Sequence, residues 1–233
     1  MSSTVYLIPS LLHESAVSTI PPIVLEAVKN CQVFFVENER SARRYLKSIW
    51  KEINIDSYEW HNMEKENEAS QAFRLSLKGN KTIGIISEAG CPGVADPGQV
   101  LVAIAHEQNA TVKPLSGPSS ILLALMASGM NGQQFQFIGY LPIDSSQRNK
   151  KIKELESESA QKKCTQIFIE TPYRNNQLLE SLVKNCKPNT VLSVAVDISA
   201  PNELIRTDSI MNWSKSLPDI HKRPAIFSLL AKG

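Results

Sequence analysis

The sequence predicts an α/β protein built as two α/β domains, residues 1–114 and 115–233. Short apolar runs rich in β-branched and aromatic side chains alternate with stretches of helical period, which is how buried strands and their covering helices read in a sequence. Two loops rich in glycine and proline each close an apolar run and open a helical one: Ser87-Glu88-Ala89-Gly90-Cys91-Pro92-Gly93-Val94-Ala95-Asp96-Pro97-Gly98 and Leu115-Ser116-Gly117-Pro118-Ser119-Ser120. At 233 residues the chain is long enough for each domain to bury its own core.

The first strand is Val5-Tyr6-Leu7-Ile8, and Pro21-Pro22 start the first helix, where a missing N–H costs little. Val33-Phe34-Phe35-Val36 follows as a strand, then helices over residues 39–50 and 67–78. Thr82-Ile83-Gly84-Ile85-Ile86 leads into the first glycine loop, a helix over 97–107 and a short strand at Thr111-Val112. Beyond the second loop come a helix over 118–127, a strand over 135–138, a helix over 147–160 and a strand over 165–169. A helix over 173–185, a strand over 191–196, a helix over 208–215 and a strand over 225–230 complete the pattern. Residues 141–149 read as a mobile polar crossing.

A strand that ends in glycine before a helix N-terminus leaves backbone N–H groups unpaired, and without Cβ atoms a ligand can approach closely. Gly90, Gly93 and Gly98 lie in one short stretch of a chain that has ten glycines, so glycine is concentrated where backbone shape matters. Ligands of open α/β sheets gather at the carboxyl ends of strands. Both loops and the segment after Ile169 are therefore expected to face one inter-domain crevice.

GxxxxGKS and GxGxxG are both absent, which excludes a P-loop hydrolase and the common dinucleotide fingerprint. Neither GxSxG nor HExxH occurs, and His13, His61, His106 and His221 have no metal-like spacing, so no metal is expected. Cys31, Cys91, Cys164 and Cys186 are scattered without CxxC spacing, against a zinc site or disulfide framework. No apolar stretch approaches the roughly 20 residues that span a bilayer, and no basic segment precedes an apolar one at the N-terminus. The expectation is no membrane partner and a cytoplasmic location.

The charge balance, 25 basic against 23 acidic residues, carries no global signature of a nucleic-acid binder. Locally, Arg40, Arg43, Arg44 and Lys47 share one helical pattern, and Arg148, Lys150, Lys151 and Lys153 share another. Such clusters are ordinary solvated helix faces unless both line one cleft.

Six segments occur in a telling order: Val5-Tyr6-Leu7-Ile8-Pro9, Val36-Glu37-Asn38-Glu39-Arg40, the loop from Ser87 to Gly98, Pro114-Leu115-Ser116-Gly117-Pro118, Gly139-Tyr140-Leu141-Pro142 and Glu170-Thr171-Pro172-Tyr173-Arg174. In these the chain resembles the tetrapyrrole methylase superfamily, the class III S-adenosylmethionine-dependent methyltransferases. The resemblance is strongest to the branch of small-subunit ribosomal RNA ribose 2′-O-methyltransferases. The long loop is the most specific part, since only Glu88 and Cys91 differ from that family's Ser-Asp-Ala-Gly-Thr-Pro and Asp-Pro-Gly. The resemblance implies the tetrapyrrole methylase fold, two α/β domains with S-adenosylmethionine in the cleft between them, and a homodimer. The cofactor residues it implies begin with Glu88 and with Gly90, Cys91, Pro92 and Val94, whose backbone meets the methionine part or ribose. Ser119 and Ser120 hold the carboxylate end, and Glu170, Thr171, Pro224 and Ala225 flank the adenine. A helix N-terminus with free N–H groups and hydroxyls suits a carboxylate.

The departures fall on the substrate side. Where the RNA branch runs Thr-Pro-Ile-Gly-Asn-Leu, this chain has Ser10-Leu11-Leu12-His13-Glu14-Ser15, and Glu-Asp-Thr-Arg becomes Glu37-Asn38-Glu39-Arg40. Ala-Arg-Glu-Leu-Thr-Lys becomes Ala195-Val196-Asp197-Ile198-Ser199-Ala200, and a late Gly-Glu becomes Pro224-Ala225, as in the porphyrin-precursor branch. The expected activity is methyl transfer from S-adenosylmethionine to RNA, at a ribose 2′-oxygen of the small ribosomal subunit. Methylation of a small molecule such as a tetrapyrrole and a regulator that binds the cofactor without catalysis stay open. The expected substrate side is Glu37, Arg40, Arg43, Arg44, Arg148 and Lys151, with Tyr140 or Tyr173 for stacking. A ribose hydroxyl gains from a general base. Glu37, Glu39 and Asp197 are the candidates, and the sequence singles out none.

Overall fold

A computed structural model of the protein describes residues 3–231. The chain forms two compact units, Met1–Ser119 and Ser120–Gly233.

The first unit is a parallel sheet of five strands, β1 (Thr4–Ile8), β2 (Val33–Val36), β3 (Glu59–Asn62), β4 (Ile83–Ile86) and β5 (Thr111–Pro114), in the order β3-β2-β4-β1-β5. Every residue of β2 and β4 is buried, as the unbroken apolar runs require of central strands covered on both faces. Right-handed crossovers decide where the helices go. α1 (Pro22–Asn30) and α2 (Glu39–Ile49) carry the chain from β1 to β2 to β3, and pack Val24, Val28, Ala42, Tyr45 and Leu46 on one face with Phe34 and Ile86. α3 (Glu66–Lys78) and α4 (Gly98–Glu107) return the chain in the other direction and pack Phe73, Leu77, Leu101 and Ile104 on the opposite face with Phe35 and Ile85. The helix that follows β4 thus lies across the sheet from those that follow its neighbours β1 and β2. This divergence opens a crevice at the carboxyl end of β4.

The second unit has a mixed sheet of β6 (Phe135–Tyr140), β7 (Thr165–Ile169), β8 (Val191–Val196), β9 (Leu204–Ser209) and β10 (Ala225–Leu230), in the order β6-β7-β10-β8-β9. Only β6 and β7 run parallel. α6 (Ser145–Lys162), α7 (Asn175–Asn185) and the short α8 (Ile210–Trp213) bury Leu155, Leu178, Leu182 and Trp213 against Phe168 and Phe227. α5 (Ser120–Ser128) lies on β8, β9 and β10 and shares no residue with that cluster.

The α/β class and the alternation of strands and helices are those expected. Two strands were not foreseen. β3 and β9 are edge strands, partly exposed along their length, so their sequences Glu59-Trp60-His61-Asn62 and Leu204-Ile205-Arg206-Thr207-Asp208-Ser209 lack an apolar run. The helix expected over 208–215 shrinks to four residues, because Asp208 and Ser209 pair with β8 and the Ser209 side chain caps Asn212. The stretch 141–149 is not a loose crossing. Leu141 is buried in the core, and Asp144 accepts from the Gln147 N–H to cap α6, which begins at Ser145.

Gly84 stands where β4 is flanked by Phe34 and Tyr6 in register. A Cβ there would lie 2.6 Å from the Phe34 ring and 2.9 Å from Ile8 Cδ1. Gly84→Ala is expected to destabilise the protein by about 1–3 kcal/mol through overpacking. Chemical denaturation checks this, and an unchanged midpoint would mean that the Phe34 ring has room to move.

Candidate functional site

Three parallel strands end side by side at the crevice, and their loops interlock. Ser10, after β1, and Gly90, after β4, exchange backbone hydrogen bonds of 2.8 and 3.2 Å. The Ser10 hydroxyl donates to the Ser87 carbonyl at 2.7 Å, and the Ser87 hydroxyl donates to the Gly90 carbonyl at 3.0 Å. Gly90 has a φ of +76°, and a Cβ on it would meet the Pro118 carbonyl at 3.3 Å. At Gly117 a Cβ would overlap the Pro9 ring at 2.2 Å. The Cys91 thiol reaches the Pro118 carbonyl at 3.6 Å, and burial raises its pKa. The loops after β1, β4 and β5 therefore form one backbone cradle within the first unit. Both glycine loops belong to it.

The cradle is held by a residue the sequence did not single out. Asp96 Oδ1 accepts 2.8 Å hydrogen bonds from the Gly93 and Gly98 N–H groups, which fixes the turn and starts α4. Its Oδ2 is buried without a partner. Burial raises the Asp96 pKa against the opposing effect of those two N–H groups. An Asx pattern three residues after a glycine was the available signal.

β2 supplies the next wall. Glu37 Oε1 accepts from the Glu88 N–H at 2.7 Å, while the Ser41 hydroxyl hydrogen-bonds the Glu88 carboxylate. Asn38 caps α2 by accepting from the Arg40 and Ser41 N–H groups, which aims the first turn of that helix at the crevice. Burial lifts the Glu37 carboxyl above its ordinary range, the Glu88 N–H opposes the rise, and the charges of Asp96, Glu88 and Glu64 add to it. Of the three candidate bases, Glu39 is paired with Arg43 at 2.6 Å and Asp197 with Arg223 at 2.7 Å. Glu37 makes no ion pair among the described residues.

The basic clusters divide in the same way. Arg43 bridges Glu39 and Asp56 and lies over the Trp60 ring, and Lys47 donates to the Ile53 carbonyl. Arg40 and Arg44 are exposed and make no ion pair among the described residues. Arg148 is a correction: it is 7% exposed, and its guanidinium donates to the Ile143 carbonyl and the Ser181 hydroxyl. It ties the start of α6 to α7 and belongs to no surface cluster. Lys151 stands 3.9 Å from Glu154, and Lys150 and Lys153 are exposed.

Of the remaining expected residues in the first unit, Pro92 is buried, Val94 is exposed, and Ser119 ends the unit. In the second unit Ser120 is the first residue of α5. The buried Glu170 carboxylate accepts from Arg174 at 2.5 Å and from the Thr171 N–H at 2.7 Å, with its other oxygen unpartnered. The Pro224 carbonyl accepts from the Asp197 N–H, and Ala225 opens β10. Tyr140 and Tyr173 are both exposed, and Lys222 lies over the Tyr173 ring. Among the described residues no group of His, Cys, Asp and Glu is placed to hold a metal ion, and no helix is long and apolar enough to cross a membrane.

Paired α/β units of this kind occur in solved methyltransferase structures. The fold matches diphthine synthase with a TM-score of 0.67 at 15% identity, over 99% of this chain and 90% of that one. It matches the methyltransferase CobJ at 0.63 and 15%, over 99% and 95%. The chain belongs to the tetrapyrrole (corrin/porphyrin) methylases, whose family model matches residues 17–212. Similar relatives include the ribosomal RNA small subunit methyltransferase I of Micromonospora olivasterospora, 33% identical over 78% of this chain and 55% of that protein. The protein of that name from Halalkalibacterium halodurans is 31% identical over 68% and 53%. The one from Escherichia coli O157:H7 is 26% identical over 98% and 77%. The chain thus spans about half the length of the first two.

Native Glu37 holds its proton more tightly than the unfolded chain, where glutamate titrates near about 4.3. Above the raised native value both states are ionised and the charge costs stability. That cost fades as pH falls through the native value towards the unfolded one. Glu37→Gln keeps an acceptor for the Glu88 N–H, so it is expected to stabilise the protein at neutral pH and to lose the advantage below about pH 4. Urea denaturation at both pH values is the measurement, and a variant less stable at neutral pH would contradict the assignment.

Proposed function

We propose that this protein is an S-adenosylmethionine-dependent methyltransferase acting on a ribose 2′-oxygen of small-subunit ribosomal RNA. The observation that carries the reading is the cradle at the ends of β1, β4 and β5, whose glycines let the three loops pack where a Cβ would meet protein atoms, while Gly93 alone among those of the cradle has open space beside it. Family membership and the relatives' names support the same conclusion. When bound, S-adenosylmethionine supplies a methyl group on a sulfonium, open to in-line displacement. The backbone of Gly90, Cys91, Pro92 and Val94 holds it, with Glu88 beside them and Ser119 and Ser120 at its carboxylate. Glu170, Thr171, Pro224 and Ala225 take the adenine.

Glu37 receives the proton of the acceptor hydroxyl. Its carboxylate is fixed by the Glu88 N–H and makes no ion pair among the described residues, and its raised pKa makes it a better base than an ordinary carboxylate. Much of the remaining rate comes from holding the acceptor in line. Arg40, Arg44 and Lys151 contact phosphate, and Tyr140 and Tyr173 offer exposed rings for unpaired bases. A homodimer is part of this reading. Met126 and Ile143 stand exposed, as side chains covered by a second copy would.

The direct test is transfer of labelled methyl from S-adenosylmethionine to small-subunit RNA from cells lacking the protein, with mass spectrometry to place the mark. Methylated ribose is the expected outcome, and labelled porphyrin precursor with unlabelled RNA would overturn the substrate assignment. Gly90→Val should abolish cofactor binding in calorimetry, because a branched side chain at a φ of +76° would press on the Pro118 carbonyl. The backbone strain itself costs about 1–2 kcal/mol. Undiminished binding by a folded variant would mean that the loop is only a turn.

A further inference from the structure

The loop after β1, the exposed side of α2 and the start of the loop after β4 enclose a cavity of about 600 Å³ lined wholly by the first unit. Its size lies within the roughly 300–1,000 Å³ of small-molecule pockets. Residues 11–15 and Glu88, where the chain departs from the RNA branch, stand together in its wall. Departures scattered in sequence meet in one place.

The cavity's chemistry is mixed in an ordered way. Leu11, Leu12, Ala89 and the Tyr45 ring present apolar surface, and the Tyr45 hydroxyl is already spent on the Pro9 carbonyl at 2.7 Å. The Ser48 hydroxyl is likewise spent, on the Tyr45 carbonyl. Two carboxylates share the wall, Glu14 and Glu88, and the second is held by Ser41. The cation is Arg44. Its helix neighbours Arg43 and Lys47 are engaged elsewhere, whereas Arg44 makes no ion pair among the described residues. A guanidinium with no ion pair among the described residues, beside apolar side chains, suits a ring that carries a phosphate, since its planar fork matches phosphate oxygens. Glu88 lines this wall, and its backbone N–H is bonded to the Glu37 carboxylate, so the cavity adjoins the residue that holds the proposed base.

We infer that this cavity seats one nucleotide of the RNA acceptor, its base against Leu11, Leu12 and Tyr45 and a phosphate on Arg44. The inference rests on the RNA reading above. Arg44 positions the acceptor through its phosphate, and residues 11–15 are the chain's own surface for the base.

The four ribonucleoside 5′-monophosphates and their parent nucleosides are the probes, followed by amide chemical shifts of the whole protein, with S-adenosylhomocysteine calorimetry as a folding control. The nucleotides should perturb amides of residues 11–15, 41–48 and 88–89. Each nucleoside should bind about tenfold more weakly than its nucleotide, because it lacks the charge-assisted contact. Arg44→Ala should weaken the nucleotides about tenfold, leave the nucleosides and S-adenosylhomocysteine unaffected and raise KM for RNA, with Arg44→Lys recovering part of the loss. Wild-type nucleotide affinity in Arg44→Ala, or shifts confined to other surfaces, overturns the assignment even if RNA is methylated. Tighter binding of a porphyrin carboxylate than of the nucleotide in the same cavity overturns it as well. A nucleotide seated as described in a protein that methylates no RNA upholds the cavity and overturns the RNA methyl-transfer reading instead.

Discussion

The alignment of β1 between β4 and β5 is the constraint on which the carboxyl end of the first sheet depends. Ile8 lies beside Ile86 and Leu7 beside Pro114, so three neighbouring strands release their chains at nearly one level. Three loops must then share one space, and buried N–H and C=O groups there need partners. The Ser10–Gly90 pairing and the hydroxyls of Ser10 and Ser87 meet that need with short local hydrogen bonds. Asp96 completes the set by holding two N–H groups with one oxygen. The cradle's backbone groups thus find partners within the cradle, in one another and in the side chains of Ser10, Ser87 and Asp96.

Much of this was legible in the sequence, for identifiable reasons. Central parallel strands are apolar on both faces, so Val33-Phe34-Phe35-Val36 and Ile83-Gly84-Ile85-Ile86 announce themselves, and glycines at positive φ mark the first loop. Edge strands carry a weaker signal: β5 and β6 still showed short apolar stretches, whereas β3 and β9 mix in polar and charged residues and went unseen. The basic pattern at 148–153 was misleading at one position, since periodicity reports a helix face but not whether a long side chain turns inward, as that of Arg148 does. The choice among bases shows the same limit. Glu39 and Arg43 stand four apart on one helix, so their pairing is local and readable. Asp197 and Arg223 are far apart in sequence, and only folding brings them together.

Charge is distributed unevenly around the cradle even though the chain is nearly neutral overall. The charges of Asp96 and Glu88 add to the burial that raises the cost of ionising Glu37, and burial raises that of Asp96. Arg40 and Arg44 stand exposed on α2 and make no ion pair among the described residues. Adjoining surfaces therefore favour a cationic ligand and an anionic one, which agrees with the proposed sulfonium cofactor and phosphate-bearing acceptor.

The contact between Gly117 and Pro9 links two positions that are far apart in the chain. A Cβ at 117 would fall inside the Pro9 ring, at 2.2 Å from its Cβ and 2.3 Å from its Cγ. Position 117 cannot gain a side chain while Pro9 keeps its ring, so the two positions are coupled in one direction: any enlargement at 117 waits on a change at 9.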